Sequence, residues 1–472
     1  MRCNPEQYRE AIVPEVLVGN SCKGIYDGGS NMITRLTEAN LNLIRNPEFA
    51  RYVSIYQGIQ RDFLARIQET GLELETADLT DETASLRERL RAAGAVFRNN
   101  DHSIYLHQIS PACEACREGI GSATFFISLR CNRRCYYCFN PNQEHYEDFR
   151  KSKRDLVNEL AQIQQSGMKA HHIALTGGEP MLHKQEAYEF FQESRQLFPE
   201  AHTRLYTAGD FIDEETLEQL AASGLNEIRF SIRTEDSEED LRANLERIAL
   251  SKSYLDSVMV EMPVPPGSFP MMTELLLELD RIGLDSINLL ELCFPFHNVQ
   301  EFRSRGFRIK NPPYQIPYDY WYAGGLPIAY SEIECLKLLE FALEHELKMG
   351  VHYCSLENKH TGQIYQQNYG KSLPERYYFS ERDFFLKSAK AFGGDVSPVR
   401  TILNQRGASN IYQDTERQYI EFNPVYIPAL KVLDIDLALS YSVVEKRSDG
   451  EYIREVNVDL IHPNEYDPAT DL

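Results

Sequence analysis

The stretch Ser122-Ala-Thr-Phe-Phe-Ile-Ser-Leu-Arg-Cys-Asn-Arg-Arg-Cys-Tyr-Tyr-Cys-Phe139 decides how this chain is read. Its first half is short, apolar and rich in β-formers, the composition of a buried strand. Its second half sets Cys131, Cys135 and Cys138 on one loop with the spacing C-x3-C-x2-C. Three thiolates this close can hold three irons of a cubic iron–sulfur cluster and leave the fourth iron without a protein ligand. An open iron is a place to bind and reduce something. Alone, the same spacing would also suit zinc.

Working outward, strands and helices alternate from Ser122 to Leu292. The expected strands are 122–130, 171–176, 203–207, 227–232, 258–264 and 286–292. Amphipathic helices are expected at 149–166, 185–197, 214–223, 238–248 and 272–282. Short apolar strands separated by such helices form a parallel sheet covered by helices. Six units in about 170 residues make an incomplete (β/α)6 barrel of TIM type, with its functional edge at the C-terminal ends of the strands.

Upstream, Asn40–Thr70 and Glu82–Ala93 carry helical periodicity, and Gly94 is a natural helix stop. A hairpin over 95–107 follows. This region suits a winged-helix or peptide-recognition module, but a plain helical cap is preferred. Downstream, helices are expected at 331–349 and 382–392, and a short strand at 351–354. Antiparallel strands are expected at 419–427, 435–444 and 451–460, with the last turn at Ser448-Asp-Gly. The fold class is thus α/β. A mostly helical region spans 1–110, a cysteine-bearing segment 111–121, the partial barrel 122–295, and an α+β extension 296–472.

Gly177-Gly-Glu-Pro follows the second strand, at the same edge as the cysteine loop. Glycines let backbone approach a ligand closely, and Glu179 offers a carboxylate to an ammonium group. Gly-Gly-Glu-Pro alone could be a simple turn. The two motifs in this order and spacing are far more specific together.

With these residues the chain resembles the radical S-adenosylmethionine (SAM) superfamily over 122–293. The resemblance implies a [4Fe–4S] cluster on Cys131, Cys135 and Cys138, with the amino and carboxylate groups of SAM on the open iron. One electron then splits SAM to methionine and a 5′-deoxyadenosyl radical, which takes a hydrogen atom from substrate. It also implies that Tyr137 lies near the adenine and that Gly177, Gly178 and Glu179 bind the SAM amino group. Thr207 is expected near the methionine part, Ser231 and Arg233 where ribose and carboxylate are held, and Glu261 with the turn 263–267 beside the adenine. The family's usual glycine-and-isoleucine pattern is not clear at that last place. For Ser231 and Arg233, ordinary strand-end polar residues are an equal alternative.

A second pair, Cys113 and Cys116, stands as C-x2-C just before the first barrel strand. That is metal-ligand spacing for zinc or an auxiliary cluster. Cys354 is the best third ligand, and Cys293 or His352 the fourth. The bland reading is reduced, structural thiols. Cys293 could instead return a hydrogen atom to a product radical, but a packed cysteine is preferred. Cys335, among apolar neighbours, reads as core, and Cys3 and Cys22 as isolated. No cysteine follows Cys354, so the familiar two-cluster C-terminal extension of the superfamily is absent.

Net charge is −22, with 71 acidic against 49 basic residues. That weighs against a nucleic-acid partner, which calls for a basic surface. No apolar run approaches a membrane span, and the first residues lack the core of a secretory signal, so a cytoplasmic protein with no membrane partner is expected. The aromatic stretch 311–322 could line a substrate channel, though a proline-braced loop is the plainer reading. The segment around Cys113 and Cys116 resembles maturases of ribosomally made peptides whose precursors carry a nitrogen-fixation-protein-like leader. From this follow a precursor peptide as substrate, a small leader-recognition protein as a further partner, and an electron donor such as flavodoxin or ferredoxin. The expected reaction is a splicease-type excision of tyramine that leaves an α-keto-β-amino amide. Epimerisation, cross-linking and small-metabolite chemistry stand as alternatives, and a non-catalytic iron–sulfur or zinc protein as the alternative of another class.

Overall fold

The computed structural model describes residues 33–34, 36, 40–117, 121–313, 325–447 and 450–472. Cys3, Cys22, most of the aromatic stretch 311–322 and the tip of the last hairpin lie outside them. Two compact units emerge. One runs from Thr70 to Gln366 in its described parts. The other combines the described residues up to Glu69 with Gln367–Leu472.

The first unit is built on a sheet of nine strands. A hairpin supplies β1 (Val96–Arg98) and β2 (Ser103–Leu106). The barrel strands are β3 (Ser122–Phe126), β4 (His172–Thr176), β5 (His202–Thr207), β6 (Glu227–Phe230), β7 (Ser257–Val264) and β8 (Ser286–Glu291), followed by β9 (Gly350–Cys354). The spatial order is β1-β2-β9-β8-β7-β6-β5-β4-β3. Strands β3 to β9 are mutually parallel, and β2 closes antiparallel on β9. The six expected strands are present, and the short strand at 350–354 is a seventh member of the same parallel sheet.

The cause is visible in burial. Ile173, Leu175, Leu205, Ile228, Val258, Val260, Ile287 and Leu289 are all fully buried, packed with Phe190, Leu217, Leu220, Ile248 and Leu276 from the covering helices. The helix starts are set by capping side chains: Asp155 accepts from Asn158 N, Asp213 from Thr216 N, and Ser237 from Asp240 N. Asp155 also explains one correction. The expected helix 149–166 is split into Tyr146–Phe149 and Leu156–Gln165. The chain between them is extended far enough for Arg154 N–H to donate to Ile127 O at 2.8 Å.

The second unit is an antiparallel sheet. Its central strands are β10 (Leu386–Phe392), β11 (Tyr419–Phe422), β12 (Leu437–Arg447) and β13 (Gly450–Ile461). The helix expected at 382–392 is therefore a strand. Its Leu, Lys and Ala residues favour a helix locally, but every residue of β10 is buried and it pairs with β11 and β12 on either side. Tertiary pairing overrides so weak a preference. The expected strand 419–427 ends at Phe422, because Pro424 opens a 3-10 turn. Helix Pro47–Glu69 belongs to this unit, with Phe49 stacked on Phe392 at 4.9 Å between ring centroids. Among the described residues, no helix is long and apolar enough to cross a membrane.

Candidate active site

After β3 the chain runs extended through Leu129 and enters the cysteine loop. Leu129 N–H donates to Phe149 O at 2.9 Å, and a turn bonds Cys138 N to Cys135 O at 3.2 Å. The loop is then pinned from three directions. Arg133 bridges Asp210, after β5, and Asp236, after β6. Asn132 Nδ2 donates to the same Asp210 at 2.6 Å. From the segment after β8, Asn298 Nδ2 donates to Tyr136 O at 3.1 Å, and His297 Nε2 lies 2.8 Å from Cys138 O. Tyr136 is wedged between Phe302 and the guanidinium of Arg305. Sequence reading missed Arg133, Asp210, Asp236, His297 and Asn298; the signal available was only that each follows a barrel strand.

The Gly-Gly-Glu turn lies directly on the cysteine loop. Gly178 N–H donates to Ser128 O at 3.1 Å and Glu179 N–H to Arg130 O at 2.8 Å. Gly177 has φ +107°. A Cβ on Gly178 would stand 2.0 Å from Arg130 O, so no larger residue fits there. Asn140, just past Cys138, reaches back to Gly177 O at 2.5 Å.

Glu179 is 2% exposed. Its Oε1 accepts from Thr207 Oγ1 at 2.7 Å and Met181 N at 3.0 Å, and its Oε2 from Ala208 N at 2.7 Å. Burial raises its pKa, and the Ala208 N–H and Thr207 hydroxyl oppose that rise. Ser231 N–H donates to Thr207 O at 2.9 Å. Arg233 is held by Asp236 and lies beside Cys135: burial pushes the Cys135 thiol up, and neighbouring Arg233 and Tyr137 hold part of the rise back. Cys131 receives Arg133 N–H at 3.4 Å, and burial pushes Cys138 up to about 11. The structure thus brings Cys131, Cys135, Cys138, Tyr137, Gly177, Gly178, Glu179, Thr207, Ser231 and Arg233 into one neighbourhood.

Glu261, on β7, faces the inside of the barrel. Its carboxylate accepts from Arg229 Nη1 and Asn288 Nδ2, both at 2.7 Å, and belongs to a buried polar layer inside the barrel. Arg229, 2% exposed, also bonds Glu227 and approaches Cys113 Sγ at 3.5 Å. The turn after β7 is likewise engaged, with Gly267 N–H on Glu334. Cys335 is fully buried in the core, as expected.

The donor set fits an iron–sulfur cluster. Cys131, Cys135 and Cys138 supply three thiol donors from one loop. In a cubic cluster each of the three thiolates would take a different iron. Thiols raised by burial lose their protons only to a metal that replaces the charge.

Residues 125–302 match the family profile described as the Radical SAM superfamily. A protein of Methanocaldococcus jannaschii, provisionally named a glycyl-radical enzyme activating enzyme, is 26% identical over 309 residues, covering 63% of this chain and 78% of its own length. The 7-carboxy-7-deazaguanine synthase of Archaeoglobus fulgidus is 32% identical over 115 residues, covering 20% of this chain; the chain spans 51% of that relative. Among solved structures, Streptococcus suis SuiB bound to its precursor peptide SuiA aligns with a TM-score of 0.36 at 14% identity, over 65% of each chain.

Proposed function

We propose, from the radical SAM domain that residues 125–302 match, that this enzyme removes a hydrogen atom from a polypeptide substrate, a ribosomally made precursor peptide. The observation that carries the chemistry is the Gly-Gly-Glu turn bonded to the residue before Cys131. When bound, the cluster and SAM supply one electron and a 5′-deoxyadenosyl radical. The protein does the rest. Cys131, Cys135 and Cys138 hold the cluster. Gly178 lets the turn pack against the backbone of the loop that would hold the cluster. Glu179, oriented by Thr207 and Ala208, faces the SAM ammonium, and Ser231 and Arg233 take its ribose and carboxylate. Tyr137 lies against the adenine.

A peptide substrate is supported by the name of the Methanocaldococcus relative, whose target is a protein, and by the Cys113–Cys116 segment ahead of the barrel. The specific outcome we favour is excision of tyramine, with an electron donor of flavodoxin or ferredoxin type and a small leader-recognition protein as partners. Co-expression with adjacent small open reading frames followed by peptide mass spectrometry tests this. Loss of tyramine mass supports splicing. Deuterium uptake from heavy water with no other change indicates epimerisation instead.

The same relative favours a second reading, activation of a glycyl-radical enzyme. In that case co-expressed peptides stay unmodified, and a glycyl-radical EPR signal appears in a partner enzyme.

A further inference from the structure

The Gly-Gly-Glu turn touches the cysteine loop at both of its ends, by different means. At the entrance the contacts are backbone to backbone: Gly178 N–H donates to Ser128 O at 3.1 Å and Glu179 N–H to Arg130 O at 2.8 Å. A Cβ on Gly177 would stand 2.4 Å from Phe126 Cβ, so the turn is pressed onto the strand that feeds the loop. At the exit the contact is a side chain. Asn140, two residues past Cys138, donates from Nδ2 to Gly177 O at 2.5 Å. The cysteines thus lie between two attachments to one turn.

The local sequence sets Asn140 in place. Asn140–Asn142 is a 3-10 turn with Pro141 near its start. Asn142 N–H donates to Phe139 O and Gln143 N–H to Asn140 O, both at 3.0 Å. This brings the Gln143 side chain back to Asn140, where its Nε2 donates to Asn140 Oδ1 at 2.9 Å. A carbonyl can only accept, so Gly177 O fixes Nδ2 on its own side, and Gln143 takes the other end of the amide. With both ends bonded, the orientation of this half-buried amide is held. Asn142, in the same turn, goes elsewhere: its Nδ2 donates to Pro295 O at 2.9 Å.

The consequence concerns geometry more than retention of the loop. Arg133, His297 and Asn298 pin the loop whether or not Asn140 is present. Asn140 adds a fixed separation between the exit of the loop, next to Cys138, and the turn that carries Glu179. A ligand that meets both the Glu179 carboxylate and the cluster binds best when that separation is set before it arrives. We propose that Asn140, oriented by Gln143, is a positioning residue for SAM, setting the Glu179 carboxylate relative to the third cysteine. This rests on the reading of Gly177–Glu179 as the turn that faces SAM.

The test measures SAM binding to the reconstituted full chain by equilibrium dialysis. Asn140→Ala should weaken binding about 3- to 10-fold, the worth of one neutral hydrogen bond. Its iron and sulfide content, and the EPR signal of its reduced cluster without SAM, should be those of the wild type. Asn140→Asp, which turns an oxygen onto Gly177 O, should lose more. Gln143→Ala should lose less, and the double variant should match Asn140→Ala, because Gln143 acts through Asn140. Asn142→Ala should bind SAM as the wild type does. The proposal is overturned if Asn140→Ala binds SAM as tightly as the wild type, if it loses iron, or if Asn142→Ala weakens binding equally. It is also overturned if the loss in Gln143→Ala adds in full to that in Asn140→Ala. A wild-type protein that takes up its cluster but binds no SAM overturns the reading of the turn, and this proposal with it.

Discussion

The backbone N–H of Glu179 donates to the carbonyl of Arg130 at 2.8 Å. The turn that carries the carboxylate proposed to face SAM is therefore bonded to the residue immediately before Cys131, the first cysteine of the loop. Two motifs separated by a whole βα unit act as one rigid edge.

Gly178 makes that contact possible. In Gly178→Ala the new methyl would overlap Arg130 O, so the turn must lift off the loop. Overpacking of this kind costs about 1–3 kcal/mol in stability. Reductive SAM cleavage should fall as well, by at least ~10-fold. Parallel measurement of 5′-deoxyadenosine yield and thermal unfolding checks the split.

Glu179→Gln keeps the shape but turns an amide donor toward either Ala208 N–H or Met181 N–H, and removes the charge proposed to face the SAM ammonium. Losing a charge-assisted hydrogen bond costs about 1.5–3 kcal/mol, a fall in SAM affinity of roughly 10- to 100-fold. Equilibrium dialysis of the reconstituted enzyme reads this directly. Thr207→Val should show a smaller loss, since Ala208 N still orients the carboxylate.

Arg133 ties the cysteine loop to Asp210 and Asp236. Arg133→Ala leaves both carboxylates without that partner and frees the loop. Iron should be lost faster to a chelator, while the far-ultraviolet spectrum stays native. Time-resolved iron release in the two proteins tests it.

Glu227 is fully buried. Burial raises its carboxyl pKa, but His202, Arg229 and Ser110 outweigh this and hold it down at about 2. A depressed carboxyl stabilises the fold above its unfolded value near 4.3 and loses that contribution as pH falls through the folded value. Stability should therefore fall between about pH 4.3 and 2. Glu227→Gln should be less stable near neutrality by ~3 kcal/mol and show a flatter acid limb in denaturant titrations.

The parallel barrel was legible because its strands are apolar throughout and its helices carry caps at their starts. The cysteine loop and Gly-Gly-Glu turn were legible because both follow strands at one edge. Three things were not. The role of β10 was hidden because Leu386–Phe392 is made of helix-favouring residues that only sheet pairing makes extended. The place of β9 was hidden because a long excursion separates it from β8, its parallel neighbour. The partners of Glu261 were hidden because alternation says that a side chain points inward but not how deep. Its partner Arg229 had a readable trace, since Glu227 and Arg229 put two charges on one face of an otherwise apolar strand.

The central claim is that the loop of Cys131, Cys135 and Cys138 carries a cluster that reduces SAM. Anaerobic incubation of the reconstituted enzyme with SAM and dithionite, followed by quantification of 5′-deoxyadenosine, tests it most directly. The account predicts 5′-deoxyadenosine and methionine from the wild-type protein and none from Cys131→Ala. Absence of 5′-deoxyadenosine from the iron-loaded wild type, or equal amounts from the variant, would contradict it.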